Sequence, residues 1–256
     1  MLRYVVAALA LSAGLASAEE IKVGVSPGEH AEILEQVVPL AKAKGLDVDV
    51  VEFSDYVVPN TALNDGDLNA NSFQHVPYLE NQIKDRGYQL AVVAKTITTP
   101  MGVYSTKIKS LDELADGATI AIPNDPTNGG RALLVLADQG VIKVNPDAGL
   151  VPTPLDITEN PKNLKFRELD AAQLPRALSD ADAALINTNY ALDAGLNPKD
   201  DAIAIEKADS PYANVIVVRK GDEDKPWVKT LVEVYHSPEI KDFIETRYKG
   251  AVIPAW

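Results

Sequence analysis

Beyond its first eighteen residues the chain sets apolar positions in short blocks that switch between strand and helical spacing. Ile21 to Val25 reads as a strand, Ser26 to Gly28 breaks it, and His30 to Lys44 repeats apolar residues at helical spacing until Gly45. Leu46 to Phe53 alternates as a strand. The same order returns with a strand at Ala91–Ala94, a capping box at Ser110–Glu113 and a strand at Ala118–Ile122. The turn Pro123–Asn128 then leads into an apolar run, Gly129–Leu136, that predicts a buried helix. Two more units follow. They are strand Leu164–Leu169 with helix Ala171–Leu178, and strand Ala183–Ile186 with a helix from Asn189 to Ala194 stopped by Gly195. Val215–Val218 is a late strand, and Lys225–Tyr248 reads as helices broken at Pro238.

This alternation implies an α/β architecture. Two units of about 100 residues suit the usual domain size better than one of more than twice that. With no Pro/Gly/Ser linker, the expected arrangement is two lobes joined by crossing segments, near Pro100–Ser105 and Ser210–Val217, with a cleft between them. Residues 1–18 stand apart as a leader, 19–101 form lobe 1, completed by 217–256, and 102–216 form lobe 2.

The leader assignment rests on Arg3, the apolar run Val5–Leu15, and small residues at Ala16–Ser17–Ala18, where a signal peptidase cuts. The run is too short for a membrane-spanning helix. The chain has no cysteine, which excludes disulfides, thiolate metal sites and a cysteine nucleophile. It also leaves no thiol for lipidation, so the expectation is an exported protein free in the periplasm. A net charge of −13, one unit more negative without Arg3, disfavours nucleic acid as a partner.

No Gly-x-Ser-x-Gly elbow, His-Glu-x-x-His pair or phosphate-binding loop occurs, and the histidines are His30, His75 and His236. A periplasmic hydrolase or metal enzyme using His75 with carboxylates such as Asp55 is the remaining catalytic alternative. Residues Asn69 to Tyr78 concentrate Phe73, His75 and Tyr78, and Tyr56 likewise follows a strand; aromatic residues there serve either core or ligand platform. Arg131 lies one turn into a helix, where acidic residues are preferred. An anion placed by free N–H groups, Asn128 and a bidentate guanidinium fork would resolve this, as would a salt bridge to a nearby Asp or Glu. Asn187, Asn189 and Asn214 stand at strand ends, where an amide can serve a turn or accept from an ammonium and donate to a carboxylate.

In family order, the segments Phe73–Glu80, Pro100–Ser105, Ala121–Leu133, Asp156–Pro161, Glu168–Arg176 and Ser210–Asn214 resemble the MetQ/NlpA family of methionine-binding lipoproteins. The likeness spans essentially the whole chain after the leader. It implies a two-lobed, type II-like periplasmic-binding-protein fold that binds methionine between its lobes without chemistry or cofactor. It also implies a monomer that delivers the ligand to an ABC permease in the inner membrane. By motif position, Tyr56, Phe73, His75 and Tyr78 would enclose the thioether. Arg131 with Asn128 would hold the carboxylate, and Asn214 with Asn189 or Asn187 the amino end. A methionine-containing dipeptide or another small amphipathic anion is the alternative ligand. The sequence departs from the family in lacking the lipidated cysteine and in its Thr96–Pro100 stretch, which bears on the exact ligand.

Overall fold

The computed structural model describes residues 19–207 and 210–256, so the expected leader lies outside the described residues. The chain opens with β1 (Glu19–Val25), α1 (Glu29–Ala43), β2 (Leu46–Glu52), α2 (Val58–Asp65), β3 (Ala70–His75), α3 (Val76–Arg86) and β4 (Leu90–Lys95). A short β5 (Ile97–Thr98) precedes β6 (Gly102–Tyr104), β7 (Thr119–Pro123) and α4 (Pro126–Asp138). There follow β8 (Lys143–Val144), β9 (Ile157–Glu159), β10 (Lys165–Leu169), α5 (Leu174–Ala177), β11 (Ala183–Ile186), α6 (Thr188–Asp193) and β12 (Ala204–Ile205). The chain ends with β13 (Asn214–Arg219), α7 (Pro226–Tyr235), α8 (Pro238–Tyr248) and β14 (Ile253–Pro254).

Two five-stranded sheets organise these elements into two α/β lobes, with strand orders β2-β1-β3-β13-β4 and β10-β7-β11-β6-β12. Each has a parallel core and one strand running the other way, β13 in the first and β6 in the second. The chain passes from the first sheet to the second through residues 97–101 and is back in the first at Asn214. Asn214 to Ile216, expected in lobe 2, therefore belong to lobe 1, because they pair with His75, Gln74 and Ser72 of β3.

Local chemistry explains most boundaries. In α1, Ile33, Leu34, Val37 and Ala41 fall on one buried face and join Ile21, Val23 and Val25 in the lobe 1 core. Truncating Leu34 to alanine would cost roughly 2–5 kcal/mol, the usual range for an emptied core site. In α4, Asp125 caps the helix, Pro126 suits its first turn, and Ala132, Leu133, Val135 and Leu136 are buried in the lobe 2 core. The expected capping box at Ser110 is smaller than predicted. Ser110 caps only a single 3₁₀ turn, Leu111–Glu113, and Glu113 accepts from Lys109 N–H rather than from Ser110.

The lobes touch across their cleft. Tyr190 of lobe 2 donates its hydroxyl proton to Ser54 O of lobe 1 at 3.2 Å. Gly28, with φ +85°, lies so close to lobe 2 that a Cβ there would stand 2.7 Å from Asn189 O.

Candidate functional site

In a parallel sheet, ligands collect at the carboxyl ends of the strands. Both lobes turn those ends toward the cleft. β1 runs into Ser26 to His30, β3 ends at His75, β7 leads to Asn128 and Arg131 through α4, and β11 leads to Asn187 and Asn189. Asn214, at the start of antiparallel β13, faces His75 in the ladder and so reaches the same end. Together they form one cavity lined by His30, Tyr56, Phe73, Gln74, His75, Tyr78, Thr99, Asn128, Arg131, Asn187, Asn189 and Asn214. All nine residues expected at a ligand site line this one cavity.

One wall is aromatic. The rings of Tyr56, Phe73 and Tyr78 lie 6.0–6.1 Å apart in tilted and edge-on pairs, the arrangements ring quadrupoles favour. Tyr78 donates its hydroxyl proton to Tyr56 O at 2.8 Å, fixing the Tyr56 loop on β3 and α3. Tyr56 in turn donates to Asn189 Oδ1, which ties the aromatic wall to lobe 2.

His75 is the N-cap of α3, and its Nδ1 accepts from Tyr78 N–H at 3.1 Å. Nε2 therefore carries the proton and donates it to Asn128 Oδ1 at 3.2 Å. Burial, reinforced by the Arg131 charge, pushes the imidazole down to about 3, so it is neutral at physiological pH. Asp55 accepts from Val57 and Val58 N–H at 2.7 and 2.9 Å, and among the described residues no hydrogen bond joins it to His75.

The other wall is polar. Asn128 Oδ1 accepts from His75 and from Asn187 Nδ2, the latter at 2.8 Å, while its Nδ2 donates to Asp125 at 3.0 Å. Asn128 is thus a cross-lobe joint with much of its bonding already committed. Asp125 also accepts from Asn128 N–H at 2.9 Å, so the start of α4 is capped by the protein's own carboxylate and is not the open anion site expected there. Burial pushes Asp125 upward, against the pull of these bonds from Asn128 and Thr127.

Arg131 lines the cavity and also forms a salt bridge, so the two readings of the sequence meet in one side chain. It is 2% exposed and sits 4.5 Å from the Tyr212 ring centroid. Its Nε donates to both oxygens of Glu206 at 3.0 and 3.1 Å, and its Nη2 donates to Glu206 and to Thr99 O. The bidentate fork is therefore turned to Glu206. Among the described residues, no hydrogen bond involves Nη1.

Among the described residues, three buried polar atoms have no partner and belong to residues of this cavity: Asn187 Oδ1, Asn189 Nδ2 and His30 Nδ1. Buried polar atoms are normally bonded, so a set of both acceptors and donors left open at one cavity marks a place for a polar ligand. Burial lowers His30 to about 3, leaving it neutral. Sequence reasoning missed Glu206. Gln74, Thr99 and Tyr212 lie within the segments Phe73–Glu80, Thr96–Pro100 and Ser210–Asn214 without having been singled out, and His30 was noted only as a histidine opening a helix.

These features define a class: a two-lobed α/β clamp around one small enclosed site. The model of the NlpA lipoprotein family matches residues 21–256, and the chain belongs to that family. It is 53% identical over 239 residues to the D-methionine-binding lipoprotein MetQ of Salmonella typhimurium, covering 92% of this chain and 88% of that one. The MetQ of Escherichia coli K12 is 51% identical over the same shares. A nutrient-binding protein from Burkholderia cenocepacia, solved bound to methionine, is 56% identical and superposes with a TM-score of 0.90, covering 92% of this chain and all of that one. The relatives are named lipoproteins, whereas this sequence carries no cysteine.

Proposed function

We propose that this chain is the periplasmic receptor of an ABC importer, capturing free methionine between its lobes and handing it to a membrane permease. The observation that carries the reading is the cavity itself, with aromatic rings on one side and Arg131, four asparagines and open polar valences on the other. A thioether is soft and packs well on aromatic faces, whereas the zwitterionic end needs fixed polar partners once desolvated.

The assignments follow from which atoms remain open. Arg131 Nη1 and Asn189 Nδ2 are donors and suit the carboxylate. Asn187 Oδ1 is an acceptor and suits the ammonium, and Asn214, which lines the same cavity, is assigned to that end with it. Asn189 Oδ1 is already occupied by Tyr56, so Asn187 is the better ammonium partner of the two. Tyr56, Phe73, His75 and Tyr78 enclose the side chain. Both nitrogens of His75 are bonded within the protein, which supports a packing role over acid–base chemistry. The working protein is taken to be an exported monomer of lobes 19–101 plus 214–256 and 102–213.

Calorimetric titration of ligand-stripped protein with L-methionine, D-methionine, a methionine dipeptide and leucine tests the reading. Tight binding of either methionine enantiomer with little leucine binding is expected. The absence of heat and of any thermal shift with all the methionine ligands would overturn it. Recovery of the protein in the osmotic-shock fluid is expected for a periplasmic location.

A further inference from the structure

Among the described residues Arg131 is the only cationic side chain lining the cavity, yet its Nε and Nη2 edge is turned to Glu206. Nε and Nη2 are held by the Glu206 carboxylate, Nη2 also by Thr99 O at 2.8 Å, and one face of the guanidinium rests on Tyr212. Glu206 is itself fixed. Its Oε2 accepts from Met101 N–H at 3.0 Å, and its own N–H donates to Met101 O at 2.9 Å. The carboxylate therefore receives three N–H donors, two on one guanidinium and one on the backbone of the first crossing segment. Its side chain is 9% exposed.

We infer that Glu206 is a positioning residue for ligand recognition: it locks the Arg131 guanidinium so that Nη1 alone is presented to the ligand carboxylate. This rests on the proposed binding of an amino acid, and it adds a residue that never needs to touch the ligand. A free arginine side chain has several rotatable bonds, and ordering it on binding would weaken affinity. Glu206 removes that cost in advance and offsets the penalty of a desolvated cation. It also fixes the geometry of the contact, because a carboxylate meeting one nitrogen is bound through a single-sided contact rather than the two-pronged fork a free arginine offers.

The test compares Glu206→Gln with the unaltered full chain, using L-methionine and L-methioninol, which keeps the side chain and amine but lacks the carboxylate. Glutamine matches the shape but sets an NH₂ against one of the three donors, so the guanidinium should lose its aim. Affinity for L-methionine is expected to fall about tenfold to a hundredfold, as for a lost hydrogen bond to a charged group. Affinity for methioninol, read by thermal shift at high ligand concentration, should stay unchanged, since the group that Arg131 addresses is absent. Equal losses for both ligands, or no loss for methionine, would overturn the assignment while leaving methionine binding by the unaltered protein intact. Failure of the unaltered protein to bind methionine would withdraw the receptor reading and this assignment together. Should Glu206→Gln not fold, Glu206→Asp, which keeps the charge and shortens its reach, must show the same selective loss for the assignment to stand.

Discussion

The two walls of the cavity solve opposite problems. The aromatic wall, built by lobe 1, is finished without a ligand: Tyr56, Phe73 and Tyr78 pack on one another, Tyr78 bonds to Tyr56 O, and His75 has a partner on each nitrogen. The polar wall, built mostly by lobe 2, is unfinished, with Asn187 Oδ1 and Asn189 Nδ2 buried and unpartnered. The difference separates residues that hold the protein together from residues that wait for something else. Substitutions on the aromatic wall should lower stability and binding together, whereas those at open atoms should act on binding.

The sharpest test of the polar wall is Arg131→Ala. It strips a cation from the cavity and strands Glu206, and it should weaken L-methionine binding by about 4 kcal/mol, near a thousandfold, by titration calorimetry. Unchanged affinity would remove Arg131 from the site. On the aromatic wall, Phe73→Ala should destabilise the ligand-free protein by about 3 kcal/mol in chemical denaturation and weaken binding as well. A variant that lost binding at full stability would break the contrast.

Lobe 1 also buries a titratable group away from this wall, Glu29 at the start of α1, whose two carboxylate oxygens lack partners and which burial pushes up from 4.5 to about 8. The native state holds this proton after the unfolded chain has released it, so Glu29 lowers stability progressively as pH rises from about 4.5 to about 8. His30 and His75, lowered from 6.5 to about 3, act in the other direction and only below about 6.5, where acid pulls stability down. Between about pH 6.5 and 8, Glu29 alone of the three still changes its contribution. Melting temperature should fall across that interval by the equivalent of at most about 2 kcal/mol. Glu29→Gln should flatten the profile, and an unaltered slope would acquit Glu29. The smallest effect is expected for Asn187→Ala. It loses one bond to Asn128 but also removes an unpartnered oxygen, so ligand-free stability should move by less than about 1 kcal/mol while methionine affinity drops by about that much.

The elements with strong periodicity were legible in the sequence, above all α1, α4 and the strands β1, β2, β4, β7, β10, β11 and β13, whereas β3, β6 and β12 were not foreseen. So were nine of the twelve lining residues of the cavity, Tyr56, Phe73, His75, Tyr78, Asn128, Arg131, Asn187, Asn189 and Asn214, which stand near strand ends and were assigned through the family resemblance. Helices α2 and α3 were not foreseen. Their stretches are polar and start with Pro59 and Pro77 in the first turn, a position proline favours but which resembles a break when read along the chain. Glu206 left no local signal, since its partner is 75 residues away and only the fold brings them together. The open start expected for α4 was closed by Asp125, three residues before Asn128, a cap visible in hindsight as Asp-Pro before a helix.

Gly28 carries a consequence for motion. A side chain there would be wedged against the Asn189 carbonyl, and the left-handed backbone at this position is one that glycine alone adopts freely. The smallest methyl group would act as a doorstop, propping the jaws apart by the width it needs. How completely this receptor can shut on its cargo thus depends on a hydrogen atom standing where almost every other amino acid carries a carbon.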